Sequence, residues 1–435
     1  MSARSHSRNM LTTFVGNFYP AVIALVTGPI LAHALGVFGR GQVAAGQAPL
    51  ALISTVAAFG IPEAVTFAVA SAPGIARLAA RRAAWILSAA GLVGMVTVFF
   101  ASTWLSGDDA DTRVFILIAS LAIIPTLLVG LLRGVAAATQ HWERIAFERI
   151  SAATMRLIVI LVLWGMGALT PMAATIVLAV MPLVGALAYV GLPALVRGRY
   201  EPPETAETAG YRALTSYGGR VWLGAISGIL LSRIDQVLMT GLSSAYALGL
   251  YVIAVTVSEL PLMINSAVRD VTFATDAAKP ADDRLTSSAR VSFLVCGLAA
   301  IALGGTMWWW IPILFGEDFA EAIPVAAVLL VAVAIGTPGS VAGAGLSARG
   351  RPGLRSVGMA AASVTNLVLL VALTPWMGAM GAAIATLVGN LVASNANIVF
   401  LRKHWGLRFA EFYLVRGDDV RVLRRFVTGF FRRRR

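Results

Sequence analysis

The chain has 435 residues, 58% of them hydrophobic and only 13% Asp, Glu, Lys or Arg. Soluble domains carry about 25% charged residues, and ordinary cores cannot hide this much apolar surface. Disorder demands the opposite balance, so a mean hydropathy of +0.82 leaves an all-α, polytopic membrane protein. A lone cysteine, Cys296, excludes an internal disulfide. His6, His33, His141 and His404 stand far apart, which argues against a bound metal and a metalloenzyme. No G-x-x-x-x-G-K-[ST] stretch, Ser/His/Asp set or other cofactor motif is present.

Apolar runs of about 20 residues or more, enough to cross a bilayer, occur near 11–35, 42–70, 83–105, 113–132, 150–169 and 172–196. They resume near 214–240, 247–268, 290–313, 322–346, 357–376 and 380–401, about twelve transmembrane helices in all. The first, from Leu11 to Leu31, is too long for a cleaved signal and is expected to remain. Gly336-Thr-Pro-Gly-Ser340 is expected to break the tenth span in mid-membrane and to form a hinge there.

With the N-terminus placed inside, 28 of the 34 Lys and Arg fall on inner segments and only Arg40 and Arg113 on outer loops. This bias predicts both termini in the cytoplasm. It also explains the net charge of +13 through orientation and anionic headgroups, so nucleic acid is not an expected partner.

The polar segment 197–212 reads as a linker and divides the chain into cytoplasmic residues 1–10, a six-helix bundle over 11–196, a second over 213–401 and a basic tail over 402–435. Six spans return the chain to the same side, so the halves would be parallel repeats. Val65-Thr-Phe-Ala68 and Val271-Thr-Phe-Ala274 match at a spacing of 206 residues. The expected result is a V-shaped pair of bundles enclosing a cavity.

Ionisable groups inside a span cost about 2.5–3.5 kcal/mol and mark pathways. In the seventh span Ser216, Arg220, Gly224, Ser227 and Asp235 share one face at 100° per residue, with Arg233 on another. Asn17 lies in the first span and Arg156 in the fifth. Glu63 follows Pro62 and Glu259 precedes Pro261, carboxylates beside proline-loosened turns that suit ion coupling or static pairing with an arginine. Asp270, at an inner helix end, is a third coupling candidate. Thr386, Asn390, Ser394 and Asn397 share a face of the twelfth span and read as polar glue between helices.

Leu35-Gly-Val-Phe-Gly-Arg-Gly41, Gly60-Ile-Pro-Glu-Ala64, Ser232-Arg-Ile-Asp235 and Leu248-Gly-Leu-Tyr-Val-Ile-Ala-Val-Thr-Val-Ser-Glu-Leu-Pro261 together resemble the polysaccharide transporter family of the multidrug/oligosaccharidyl-lipid/polysaccharide (MOP) exporter superfamily. The resemblance covers nearly all twelve spans, through short motifs whose order and spacing carry it. It implies flipping of undecaprenyl-diphosphate-linked oligosaccharides across the bacterial inner membrane for O-antigen or exopolysaccharide synthesis. It also implies a cavity lined by spans one, two, seven and eight, which hold Asn17, Glu63, Arg220, Arg233, Asp235 and Glu259.

On this reading Asn17, Arg156, Arg220, Ser227, Arg233 and Asp235 contact the substrate, the arginines binding diphosphate, and an H+ or Na+ gradient drives transport. Inner-membrane lipids and other polysaccharide-assembly proteins are further partners. The alternative is a MATE-like cation-coupled multidrug exporter. An enzyme is not expected, since the outer loops are about ten residues or shorter.

Overall fold

A computed structural model of the chain describes residues 3–192 and 210–414, together with 416, 417 and 419. Most of the linker and most of the basic tail named above lie outside the described residues. The described chain is helical almost throughout, as lipid requires of a backbone that must satisfy its own hydrogen bonds.

In order the helices are α1 (Ala3–Ala57), α2 (Ile61–Ser71), α3 (Ala76–Leu105), α4 (Ala110–Ser120), α5 (Ile123–Ala138), α6 (Trp142–Gly165) and α7 (Pro171–Gly185). They continue as α8 (Tyr211–Leu242), α9 (Ala245–Ala278), α10 (Asp282–Phe315), α11 (Ala322–Ala348), α12 (Pro352–Met377), α13 (Ala379–Trp405) and the short α14 (Ala410–Tyr413). Nine helical stretches among the described residues are long and apolar enough to cross a membrane. One of them, Val15–Ala57, has 43 residues, about 64 Å at 1.5 Å per residue and twice a hydrocarbon core of ~30 Å. It turns at Gly36, whose φ of 64° and ψ of −177° suit a residue without a Cβ. Dividing it there, and adding the charge-bearing α6 and α8, gives twelve spans.

Three expectations from the sequence need correction. No loop separates the first two spans, because the turn at Gly36 is absorbed within α1. The second span is broken instead, where Phe59 and Gly60 adopt positive φ of 46° and 64° before α2 begins. The tenth span runs unbroken through Pro338 as α11. Proline removes the N–H that would bond to the Ala334 carbonyl, and the Thr337 hydroxyl takes that acceptor at 2.8 Å. Asn397 Nδ2 donates to the Gly339 carbonyl at 3.0 Å, so α13 is tied to α11 just past the proline.

The chain divides into two compact units, Met1–Ile229 with Gln236–Gly249 and Leu314–Gly316, and Leu230–Asp235 with Leu250–Ile313 and Glu317–Arg435. In the first, α1 packs on α3, α4, α6 and α7, and α2 on α3 and α5. Leu31, Val43, Ile160, Leu169, Ala174 and Val177 form one of its buried clusters. In the second, α11 and α12 pack on α13 over a cluster that includes Leu285, Val341, Leu346, Ile398 and Phe412. Trp376 is 89% exposed at the end of α12, and Trp104 and Trp164 end α3 and α6, the belt positions where amphipathic rings meet headgroups.

Two carboxylates outside the spans anchor helix ends. Asp109 caps α4, accepting from the Thr112 amide at 3.0 Å, the Thr112 hydroxyl and Gln42 Nε2 at 2.9 Å. Burial alone would raise its carboxyl, but the bonds from Thr112 and Gln42 outweigh it and lower it. Asp419 is buried against Arg290, accepting from Nε at 2.6 Å and Nη2 at 3.1 Å. Here too burial opposes, and the Arg290 guanidinium prevails and holds the carboxyl below its ordinary value.

A folded pKa below the unfolded value of about 3.9 adds stability that is present above that pH and lost as pH falls through the folded pKa. The unfolding midpoint in detergent is therefore expected to drop as pH is lowered from about 5 toward 3. Asp109→Asn should flatten that dependence, and an unchanged slope in the variant would refute the assignment.

Candidate functional site

Among the described residues, the membrane-crossing helices form a cavity within each unit, its largely apolar lining carrying several polar and charged groups. The first, about 420 Å³, is lined by Glu63 and Thr66 of α2, Thr126, Gly130 and Arg133 of α5, and Arg149 of α6. The second, about 500 Å³, is lined by Glu259, Asn265 and Arg269 of α9, Ser340 of α11, Arg355 of α12 and Asn390 and Asn397 of α13.

Their linings coincide at a spacing of 206 residues: Glu63 with Arg269, Thr126 with Ala332, Leu127 with Val333, Gly130 with Gly336, Gly134 with Ser340 and Arg149 with Arg355. That is the spacing of the Val65 and Val271 tetrapeptides, so each cavity occupies the same place in a chain repeat.

In the first cavity Arg133 donates to Glu148 through Nε at 3.0 Å and Nη2 at 2.8 Å, and the buried Tyr189 hydroxyl donates to Glu148 at 3.1 Å. Arg149, half-buried, forms no salt bridge among the described residues, although Glu148 attracts it. In the second, Ser340 Oγ accepts from Asn265 Nδ2 at 3.2 Å and from Arg269 Nη1 at 3.5 Å. The buried Oδ1 of Asn397 has no hydrogen-bond partner.

The residues singled out from the sequence are distributed as follows. Glu63 and Glu259 each line a cavity, and Arg233 Nη2 reaches Glu259 at 4.0 Å, with both side chains about half exposed. Arg220 is exposed on α8, donating from Nε to the Ser216 carbonyl at 3.3 Å, its guanidinium 5.9 Å from the Tyr217 ring centre. Asp235 is buried and accepts from the Tyr251 hydroxyl. Tyr251 lies 3.1 Å from Thr386 Oγ1, so Asp235 belongs to a tie between α8, α9 and α13.

Arg156 is half-buried on α6 with a buried Nε that lacks a partner. Asn17 and Asp270 are exposed on α1 and α9. The side chain of Ser227 lies outside the described residues. Of the polar face of the twelfth span, Thr386, Ser394 and Asn397 bond to other helices, while Asn390 lines the second cavity.

Sequence reasoning passed over Arg133, Arg149 and Arg355, counting them among the inner charges that orient the chain. A pointer was there: Arg149 and Arg355 repeat at the spacing of 206 residues, and each stands inside its helix rather than before it.

A family model described as polysaccharide biosynthesis protein matches residues 7–273, more than half of the chain. The chain belongs to that family. Among solved structures, the lipid II flippase MurJ in an inward closed conformation aligns at a TM-score of 0.71 with 12% identity, over 92% of this chain and 89% of that one.

An inward-facing multidrug resistance MATE transporter of the MOP superfamily aligns at 0.69 and 12%, over 90% and 94%. A MOP superfamily transporter from Pyrococcus furiosus aligns at 0.55 and 12%, over 94% and 96%. No curated protein matches significantly. This member of the polysaccharide biosynthesis protein family is thus a multi-pass membrane protein with the fold of the MOP transporters.

Proposed function

We propose that the protein is a flippase, not an enzyme, carrying undecaprenyl-diphosphate-linked oligosaccharides across the bacterial inner membrane for O-antigen or exopolysaccharide assembly. The observation that carries this reading is the arginine-bearing cavity in each helical unit of a polysaccharide biosynthesis family member. A diphosphate crossing a low-dielectric layer needs fixed cationic donors, and guanidinium groups supply them bidentately. Hydroxyl and amide side chains such as Thr66, Thr126, Asn265 and Asn390 suit sugar hydroxyls.

Arg220 is a phosphate contact in this scheme, because Nε is tethered to Ser216 and its two terminal nitrogens remain for the headgroup. Arg156, Arg233, Asn17 and Ser227 complete the proposed substrate set, while Asp235, bonded to Tyr251, ties α8 to α9. Glu63, Glu259 and Asp270 couple transport to an H+ or Na+ gradient by alternating access, with both termini cytoplasmic. The domain division at 197–212, the lipid partners and contact with other polysaccharide-assembly proteins belong to the same proposal.

The test is a deletion strain in which lipid-linked saccharides and surface polymer are profiled together. One lipid-linked repeat should accumulate on the cytoplasmic side while its polymer disappears, and the wild-type gene should restore both. Complementation by Arg220→Ala should leave polymer export at least about tenfold down, the effect of losing one charge-assisted contact. Unchanged export in that variant would remove Arg220 from the site. Glu63 and Glu259 in the cavities favour one second reading, a cation-coupled drug exporter. Normal glycolipids together with dye resistance on overexpression would establish it instead.

A further inference from the structure

The two cavities are equivalent in the repeat and differ in charge. Where the first has Glu63, the second has Arg269. In the first, Glu148 pairs with Arg133 and also attracts Arg149, and Glu63 lines the same cavity. In the second, Arg233 lies at the Glu259 carboxylate, while Arg269 and Arg355 repel one another and neither pairs with a carboxylate among the described residues. Two half-buried cations without a counter-charge, inside membrane-crossing helices, are costly unless an anion joins them.

The remaining lining defines which anion. Asn265 and Ser340 stand beside Arg269, with Asn390 on the facing helix. Asn397 is 4% exposed, spends its amide on the Gly339 carbonyl and leaves Oδ1 unpartnered. That oxygen lies against Gly358 of α12, so the anion's partners are the arginines and the amides that line the cavity.

We propose that the cavity of the second unit is a phosphate-group site, in which Arg269 and Arg355 bind the dianion and the Asn390 amide donates beside them. Free phosphate and a phosphorylated headgroup share this chemistry. The site deepens the flippase reading and rests on it for a headgroup as the natural ligand.

The experiment measures binding of radiolabelled inorganic phosphate to the purified full chain in nanodiscs. The wild type should bind one phosphate per chain, with at least tenfold weaker binding in Arg269→Gln and Arg355→Gln and partial retention in Arg355→Lys. Glu63→Arg gives the first cavity the charge of the second and should raise the stoichiometry from one to two, a gain that misfolding cannot mimic. Displacement by undecaprenyl diphosphate would name a headgroup as the natural ligand, and failure to displace would name the free anion. Folded glutamine variants that bind as the wild type does would overturn the proposal, as would a stoichiometry that stays at one in Glu63→Arg. Loss of polymer export plays no part in this readout, so it fails or succeeds apart from the flippase reading.

Discussion

Arg133→Ala is expected to lower the unfolding free energy of the protein by about 2–3 kcal/mol. That is below the range of about 3–5 kcal/mol for a fully buried ion pair, because the Arg133 side chain is 38% exposed and its charge is screened by solvent. Glu148 is 3% exposed and has a bidentate bond from Arg133 and one from Tyr189. Alanine at 133 strands that carboxylate among α5, α6 and the turn after α7, where water cannot repay it.

The control is the double variant Arg133→Met with Glu148→Leu. Removing both charges with side chains of similar bulk leaves no uncompensated charge, only the Tyr189 hydroxyl without its acceptor, so most of the loss should return. Unfolding midpoints in detergent for the single and double variants check this. A double variant as unstable as Arg133→Ala would mean that packing, not charge, accounts for the loss.

Gly249→Ala is expected to be strongly damaging, against the general trend for glycine in a helix. Gly-to-Ala in a helix ordinarily gains up to about 1 kcal/mol. A Cβ at Gly249, however, overlaps the Val37 carbonyl oxygen, and one at Gly41 overlaps the Ala245 carbonyl oxygen. These contacts are with backbone rather than with flexible side-chain ends, so α1 and the start of α9 would have to separate. Overpacking of this kind costs about 1–3 kcal/mol or more, and helices crossing this closely depend on small residues.

Gly297 on α10 offers the opposite case, with nothing within 4 Å of its added Cβ. Gly297→Ala should be neutral or slightly stabilising while Gly249→Ala lowers both the unfolding midpoint and polymer export. Equal behaviour of the two variants would show that the close approach carries no weight.

Both variants concern residues that the sequence displayed without revealing their role. Glu148 reads as one charge in an inner segment, 15 positions from Arg133, and only the packing of α5 against α6 joins them. Pro338 reads as a break, yet α11 runs through it, with Thr337 taking the acceptor that the proline leaves and Asn397, from another helix, tied on just past it. Asp235 reads as part of a wet stripe with Arg220, whereas Tyr251 and Thr386 enclose it.

The sequence by itself determined the membrane class, the helical spans, the resemblance to polysaccharide transporters and the short roster of charges within those spans. Composition and span length suffice there, because a bilayer admits so few solutions for a buried backbone. Only the tertiary structure decided which charges meet, since helices bathed in lipid are apolar on every side and lack the one-sided pattern that marks the inward face of a soluble helix. The pairing of Arg233 with Glu259, the tie at Asp235 and the uncompensated arginines of the second cavity all arise from helix contacts at long sequence separation, which no local pattern encodes.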